Sequence, residues 1–198
     1  MDNTLIYYNQ NAEQFVQGTL SVDFKQTQDR FLAKLSVGAY ILDFGCGSGR
    51  DTRYFMDKGY VVDATDGSEE LCKMASGYTG ISVKCILFDE LAEVQRYDGI
   101  WACSSILHLS KDTLADVLKK MAVALKDNGV IYTSFKYGDF EGERNGRYFT
   151  DFTFELFEEY IKSVPELQLE EYWITGDVRT GRGEEKWLNL ILRKSDIR

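Results

Sequence analysis

Five short apolar runs recur along this chain, and helix-forming segments lie between most of them. Residues 39–44 (AYILDF), 61–65, 82–88 (SVKCILF), 97–103 (YDGIWAC) and 130–135 (VIYTSF) each have the length and composition of a strand. Residues 9–17 and 24–35 read as helices ahead of the first run, and residues 50–58 and 69–75 as helices after the first and second. Residues 111–125 carry apolar side chains at 114, 117, 118, 121, 122 and 125, a helical stripe that should end at Asn128-Gly129. Units of this kind connect through right-handed crossovers, so their strands lie parallel, with helices covering both faces. After a last helix at 154–162, two strands at 167–174 and 187–193 have no helix between them and must pair antiparallel or lie apart. The expected fold is α/β: a doubly wound, mostly parallel sheet with an antiparallel strand at its end.

Nothing breaks the 198 residues into parts: there is no repeat, low-complexity tract or linker, so one domain is expected over 1–198. Its N-terminal helices occupy 1–35, its core 36–135, and a closing segment 136–198. The chain carries 23 Lys and Arg against 32 Asp and Glu, a net charge of −9, which opposes binding to phosphate backbones or anionic membranes. No apolar run approaches the roughly 18 residues of a spanning helix. The opening Met1-Asp2-Asn3-Thr4 lacks the basic and apolar regions of a secretion signal. A cytoplasmic protein with no membrane or nucleic-acid partner is expected. Cys46, Cys72, Cys85 and Cys103 form no CxxC pair, and His108 is the one histidine, so no metal site is expected and the thiols are read as reduced and mostly buried.

In such sheets ligands bind beyond the carboxyl ends of the strands. The first strand runs into Asp43-Phe44-Gly45-Cys46-Gly47-Ser48-Gly49-Arg50-Asp51. This is an acid followed by GxGxG. It is neither the GxGxxG of a dinucleotide fold, whose third glycine position holds Arg50, nor a P-loop, which needs a lysine. The second strand ends at Asp66-Gly67-Ser68, where a carboxylate can accept both hydrogens of a ribose diol. The third ends at Phe88-Asp89-Glu90, where an acid can accept from an exocyclic amine. Acids at such places also cap helices.

ILDFGCGSGRDT resembles motif I of the class I S-adenosylmethionine-dependent methyltransferases. VVDATDGSEELCKMA, ILFDEL, YDGIWACSSILHL and LKDNGVIYTSF resemble that family's next segments, over residues 36–135. Within it the chain looks most like small bacterial methyltransferases of the tellurite-resistance type. The resemblance implies a Rossmann-like methyltransferase fold and S-adenosylmethionine as cofactor. Gly45, Cys46, Gly47 and Gly49 would bring backbone near its methionine part, and Asp43 would face the ammonium. Asp66 and Gly67 would hold the ribose, Asp89 and Glu90 the adenine, and Cys103 and Ser104 would flank the sulfonium. Arg50 would pair with the cofactor carboxylate or lie on the helix surface, and Tyr8 would close over the cofactor.

Methyl transfer from a sulfonium is an in-line displacement that needs alignment and exclusion of water, and a base only where the nucleophile carries a proton. His108 is a candidate for that base, or else shapes the pocket. Residues 136–150 form a long glycine-punctuated segment placed to cover the acceptor side, or else a solvated surface excursion, with Arg144, Arg147, Tyr148 and Phe149. Arg147 and His108 would suit a small anionic acceptor, with Trp101 as a further wall; Lys136, Arg179, Arg182 and Lys186 are the other nearby cations. The alternative for Arg144 and Arg147 is local pairing with Glu141, Glu143 or Asp151. The single proline, Pro165, precedes Glu166, so neither the paired-proline loop of amino-methylating DNA enzymes nor a Pro-Cys nucleophile is present. A cofactor-binding module without transferase activity, and a nicotinamide or flavin oxidoreductase, are the other readings.

Overall fold

A computed structural model describes residues 3–178 and 184–195. Seven strands form one sheet in the order β3-β2-β1-β4-β5-β9-β8. These are β1 (Tyr40–Phe44), β2 (Val61–Asp66), β3 (Lys84–Cys85), β4 (Tyr97–Ala102), β5 (Leu125–Lys136), β8 (Leu167–Gly176) and β9 (Lys186–Lys194). Pairings β1–β2, β1–β4, β2–β3 and β4–β5 are parallel, while β9 runs antiparallel to both β5 and β8. The order reverses between β1 and β4, so the crevice of the doubly wound sheet opens beyond Phe44 and Ala102.

Helices cover both faces. On one, α6 (Lys111–Ala124) buries Leu114, Val117, Leu118, Met121 and Ala122, and α7 (Phe154–Tyr160) adds Phe157. On the other, α3 (Lys25–Leu32) and α4 (Arg50–Asp57) bury Phe31 and Phe55 around Trp101, which stacks on Tyr132. The caps follow sequence chemistry. Ser68 accepts from the Leu71 N–H at the start of α5 (Glu69–Thr79), and Ser110 from the Thr113 N–H at the start of α6. No described helix is long and apolar enough to cross a membrane.

Four local differences from the sequence expectation have physical causes. The expected helix at 9–17 is two, α1 (Asn3–Gln10) and α2 (Ala12–Thr19), because the Asn11 amide turns back onto the Tyr7 carbonyl at the junction. The third strand shrinks to Lys84–Cys85; residues 88–90 form a 3-10 turn closed by the Glu90 carboxylate on the Leu87 N–H. Asn128 adopts a left-handed φ of 62° inside β5, so the expected turn is a register shift within a strand that begins at Leu125. Residues 136–150 are no irregular loop: β6 (Glu141–Arg144) and β7 (Arg147–Thr150) form a separate hairpin.

Candidate active site

A cavity of about 1190 Å³ lies beyond the ends of β1, β2 and β4, between α1 and α2, the β6–β7 hairpin and the β8–β9 end. It exceeds the roughly 300–1,000 Å³ typical of one small-molecule site. It therefore has room for two small molecules side by side.

The glycine loop is tied to the end of β2. The Gly45 and Cys46 N–H groups both donate to the Thr65 carbonyl at 2.9 Å. The Gly47 N–H donates to Asp66 Oδ2, and the Ser68 N–H to Asp66 Oδ1, each at 2.9 Å. Each oxygen keeps a further lone pair, so the carboxylate sits pre-oriented at the cavity wall. Burial pushes the Asp66 carboxyl up, and the backbone N–H groups of Ser68, Gly47 and Gly67 act against that. Gly47 has φ 55°, and a Cβ there would come within 2.9 Å of the Phe15 ring, which α2 lays over the loop.

Of the residues read as cofactor contacts, Tyr8, Gly45, Cys46, Gly47, Arg50, Asp66, Gly67, Asp89, Cys103 and Ser104 line the cavity. Asp43, Gly49 and Glu90 are placed otherwise. Asp43 is buried beneath the loop, accepting from Thr52 Oγ1 at 2.5 Å. Gly49, at φ 78°, faces α5, where a Cβ would meet Thr79 at 2.8 Å. Glu90 closes its own turn.

Arg50 does not stand free toward a ligand: its Nε and NH2 grip Asp51 at 2.7 and 2.9 Å. Asp51 also accepts from Gln28 Nε2 at 2.6 Å and Trp101 Nε1 at 2.9 Å, a buried four-residue network. Trp101 is thus a core residue and not a cavity wall. Sequence reading reached Arg50 but missed the network; the adjacent Arg-Asp pair after the glycine loop was its one local sign, and nothing near Gln28 announces it.

Beyond β4, Ser104 holds a left-handed φ of 51° while its N–H donates to Ser134 Oγ at 3.0 Å, joining the ends of β4 and β5. Such a conformation in a non-glycine residue marks a constrained site. Burial, reinforced by Asp51, pushes the Cys103 thiol up to about 12, so it stays protonated near neutrality. Of the cysteines, Cys46 and Cys72 are buried, Cys103 is half-buried and Cys85 is exposed.

On the opposite wall, His108 Nδ1 lies 2.6 Å from the Tyr148 carbonyl and Nε2 2.9 Å from the Tyr8 hydroxyl. A carbonyl only accepts, so Nδ1 carries the proton, and in the neutral ring Nε2 accepts from Tyr8. Arg147 NH1 reaches the same hydroxyl at 3.4 Å. Burial pushes the Tyr8 phenol up while Arg147 pulls it down. The Tyr148 N–H donates to Thr4 Oγ1 and Asn3 Nδ2 to Glu143, so α1 and the hairpin form one cover. Arg144 forks onto Asp151, and Lys136 pairs with Glu185. Arg179 and Arg182 lie outside the described residues.

This donor set fits a nucleoside bearing an amino acid: a pre-oriented carboxylate with lone pairs left at the cavity wall suits a diol, and a glycine-lined backbone leaves room for the chain. The comparisons agree. Residues 41–129 match the methyltransferase-domain family. The Bos taurus N-terminal Xaa-Pro-Lys N-methyltransferase 1 is 37% identical over 101 residues, 47% of this chain and 45% of that protein. An uncharacterised methyltransferase of Staphylococcus carnosus is 27% identical over 135 residues, 65% of each. The chain spans about half the length of the first of these, and of the similar animal proteins it matches. The 1,6-didemethyltoxoflavin-N1-methyltransferase of Burkholderia thailandensis, solved with 1,6-didemethyltoxoflavin and S-adenosylhomocysteine, superposes with a TM-score of 0.77 at 22% identity, covering 96% of this chain and 85% of that one. Residues 41–129 thus carry a methyltransferase domain, and the chain has the fold of the class I methyltransferases.

Proposed function

We propose that the protein transfers a methyl group from S-adenosylmethionine to a small-molecule acceptor held between the β4 end and the α1–hairpin cover. The observation that carries this reading is the convergence of Asp66 and the glycine loop on a cavity large enough for cofactor and acceptor together. When bound, S-adenosylmethionine supplies an electrophilic methyl on a sulfonium.

The chain's own residues bind, orient and exclude water. Asp66 accepts the ribose hydroxyls with its free lone pairs, held in place by Gly47 and Ser68. The backbone from Gly45 to Gly47 lies against the amino-acid part. Tyr8, Phe15 and Tyr148 close the cover over the transfer path and keep water out. A nucleophile with an acidic enough proton can use the Tyr8 hydroxyl, whose own proton is directed at His108 Nε2. His108 is then the proton's destination and Tyr8 the group at the acceptor.

A cover tied by Thr4 and Asn3 across the cavity favours a small acceptor over a protein tail. A peptide N-terminus is the second reading, favoured by the names of the curated relatives. One assay tests both. Labelled methyl from S-adenosylmethionine is followed into a metabolite extract and into a peptide beginning Xaa-Pro-Lys. Label in a small molecule supports the first reading, label in the peptide replaces it with the second, and label in neither with cofactor bound makes the chain a binding module.

A further inference from the structure

Arg147 differs from the other described arginines. Arg30, Arg50, Arg53, Arg96, Arg144 and Arg193 each reach a carboxylate. Arg147 reaches none. Its Nε is buried without a hydrogen-bond partner, and NH1 has the Tyr8 hydroxyl at 3.4 Å. Its guanidinium lies 4.3 Å from the centre of the Tyr7 ring and 5.1 Å from that of Phe149, in an aromatic box at the cavity wall. The acids of its own hairpin are engaged elsewhere. Glu143 accepts from Asn3, Glu141 from Lys111 and Tyr148, and Asp151, just past the hairpin, takes the Arg144 fork. In a chain with 32 acids to 23 bases, an arginine at a cavity without one is exceptional. A cation taken from water without a counter-charge is costly, whereas a planar fork binds a carboxylate or phosphate through two parallel hydrogen bonds.

We propose that Arg147 is an oxyanion-binding group on the acceptor side of the cavity, so that the methyl acceptor carries a carboxylate or a phosphate. This rests on reading that side of the cavity as the methyl-acceptor site. The half-buried Tyr7 ring at the same cavity wall adds a preference for an anion joined to a flat apolar body that it can cover.

The test is a calorimetric titration of the full chain with inorganic phosphate and, separately, with benzoate, each with and without saturating S-adenosylhomocysteine. Saturable binding of at least one probe is expected, weakened tenfold or more in Arg147→Met and partly retained in Arg147→Lys, with S-adenosylhomocysteine affinity within about twofold of wild type. Benzoate binding tighter than phosphate assigns a carboxylate on a flat body; the reverse order assigns a phosphate. Should Arg147→Met fold poorly, the side-chain Nε–H resonance of Arg147 in the wild-type chain must shift along the same binding curve. Absence of saturable binding, binding unchanged in Arg147→Met, or an unmoved Nε–H resonance overturns the proposal. So does a collapse of S-adenosylhomocysteine affinity in folded Arg147→Met, which would give the arginine to the cofactor. A wild-type chain that binds a probe at Arg147 but not S-adenosylhomocysteine overturns the transferase reading and keeps the oxyanion site.

Discussion

Asp66 and Tyr8 divide the site at the scale of single side chains. Asp66 is pinned by two N–H groups before any ligand arrives, so its recognition costs little ordering. Asp66→Ala removes charge-assisted hydrogen bonds of roughly 1.5–3 kcal/mol, so cofactor affinity should fall about tenfold to a hundredfold in calorimetry. Unchanged affinity would remove Asp66 from the cofactor site. Tyr8→Phe keeps the ring and deletes the hydroxyl between Arg147 and His108. Its turnover should drop on the order of a hundredfold if the acceptor loses a proton there, with cofactor affinity nearly unchanged. Equal turnover in Tyr8→Phe would mean that the acceptor needs no base. Asp66 and the loop were legible in sequence because strand ends and glycine spacing are local. The Tyr8–His108 contact joins residues 100 positions apart, and only their separate candidacy could be read.

The alternation of strands and helices was legible because crossovers impose it, and α6 because its stripe is long. The hairpin at 141–150 was not. Its strands are four residues each, with polar residues interleaved, and it exists by docking on α1, on the His108 ring and on the Leu109 carbonyl rather than by its own pattern. β3 failed for the opposite reason: seven apolar-rich residues look like a strand, but at the sheet edge only two of them find ladder partners. The hairpin's buried charged anchor is the Arg144 fork on Asp151, beside a more exposed pair of Glu141 with Lys111. Asp151→Ala leaves that fork unpaired and should loosen residues 141–150 before the rest of the fold, at a cost of about 1–3 kcal/mol. Hydrogen exchange checks this: protection should fall in the hairpin and α1 and persist in β1, β4 and β5. Uniform loss would mean that the hairpin unfolds only with the whole chain.

At the scale of the whole molecule, the same loop that serves the site burdens the fold. Asp43 lies fully inside, and burial, with the charge of Asp51 nearby, pushes its carboxyl up from 3.8 to about 8. Between those values the folded chain keeps a proton that the unfolded chain has lost, so this group's contribution to stability falls as pH rises toward 8 and falls no further above it. Asp66, also pushed up by burial, adds in the same direction. The paired carboxyls Asp98, Glu141, Glu170 and Glu171 are held below their ordinary range, so their stabilisation is present above that range and is lost only in acid. A window from about pH 5 to 8 therefore isolates the buried acids. Asp43→Asn keeps an acceptor for Thr52 Oγ1 and cannot ionise. Wild type should lose stability across this window, and the variant should lose less, by up to about 1 kcal/mol per pH unit. Denaturant unfolding at several pH values measures both slopes. Parallel slopes would show that Asp43 is ionised throughout, with a compensating positive charge at the loop, and would return it to the role of facing the cofactor's ammonium.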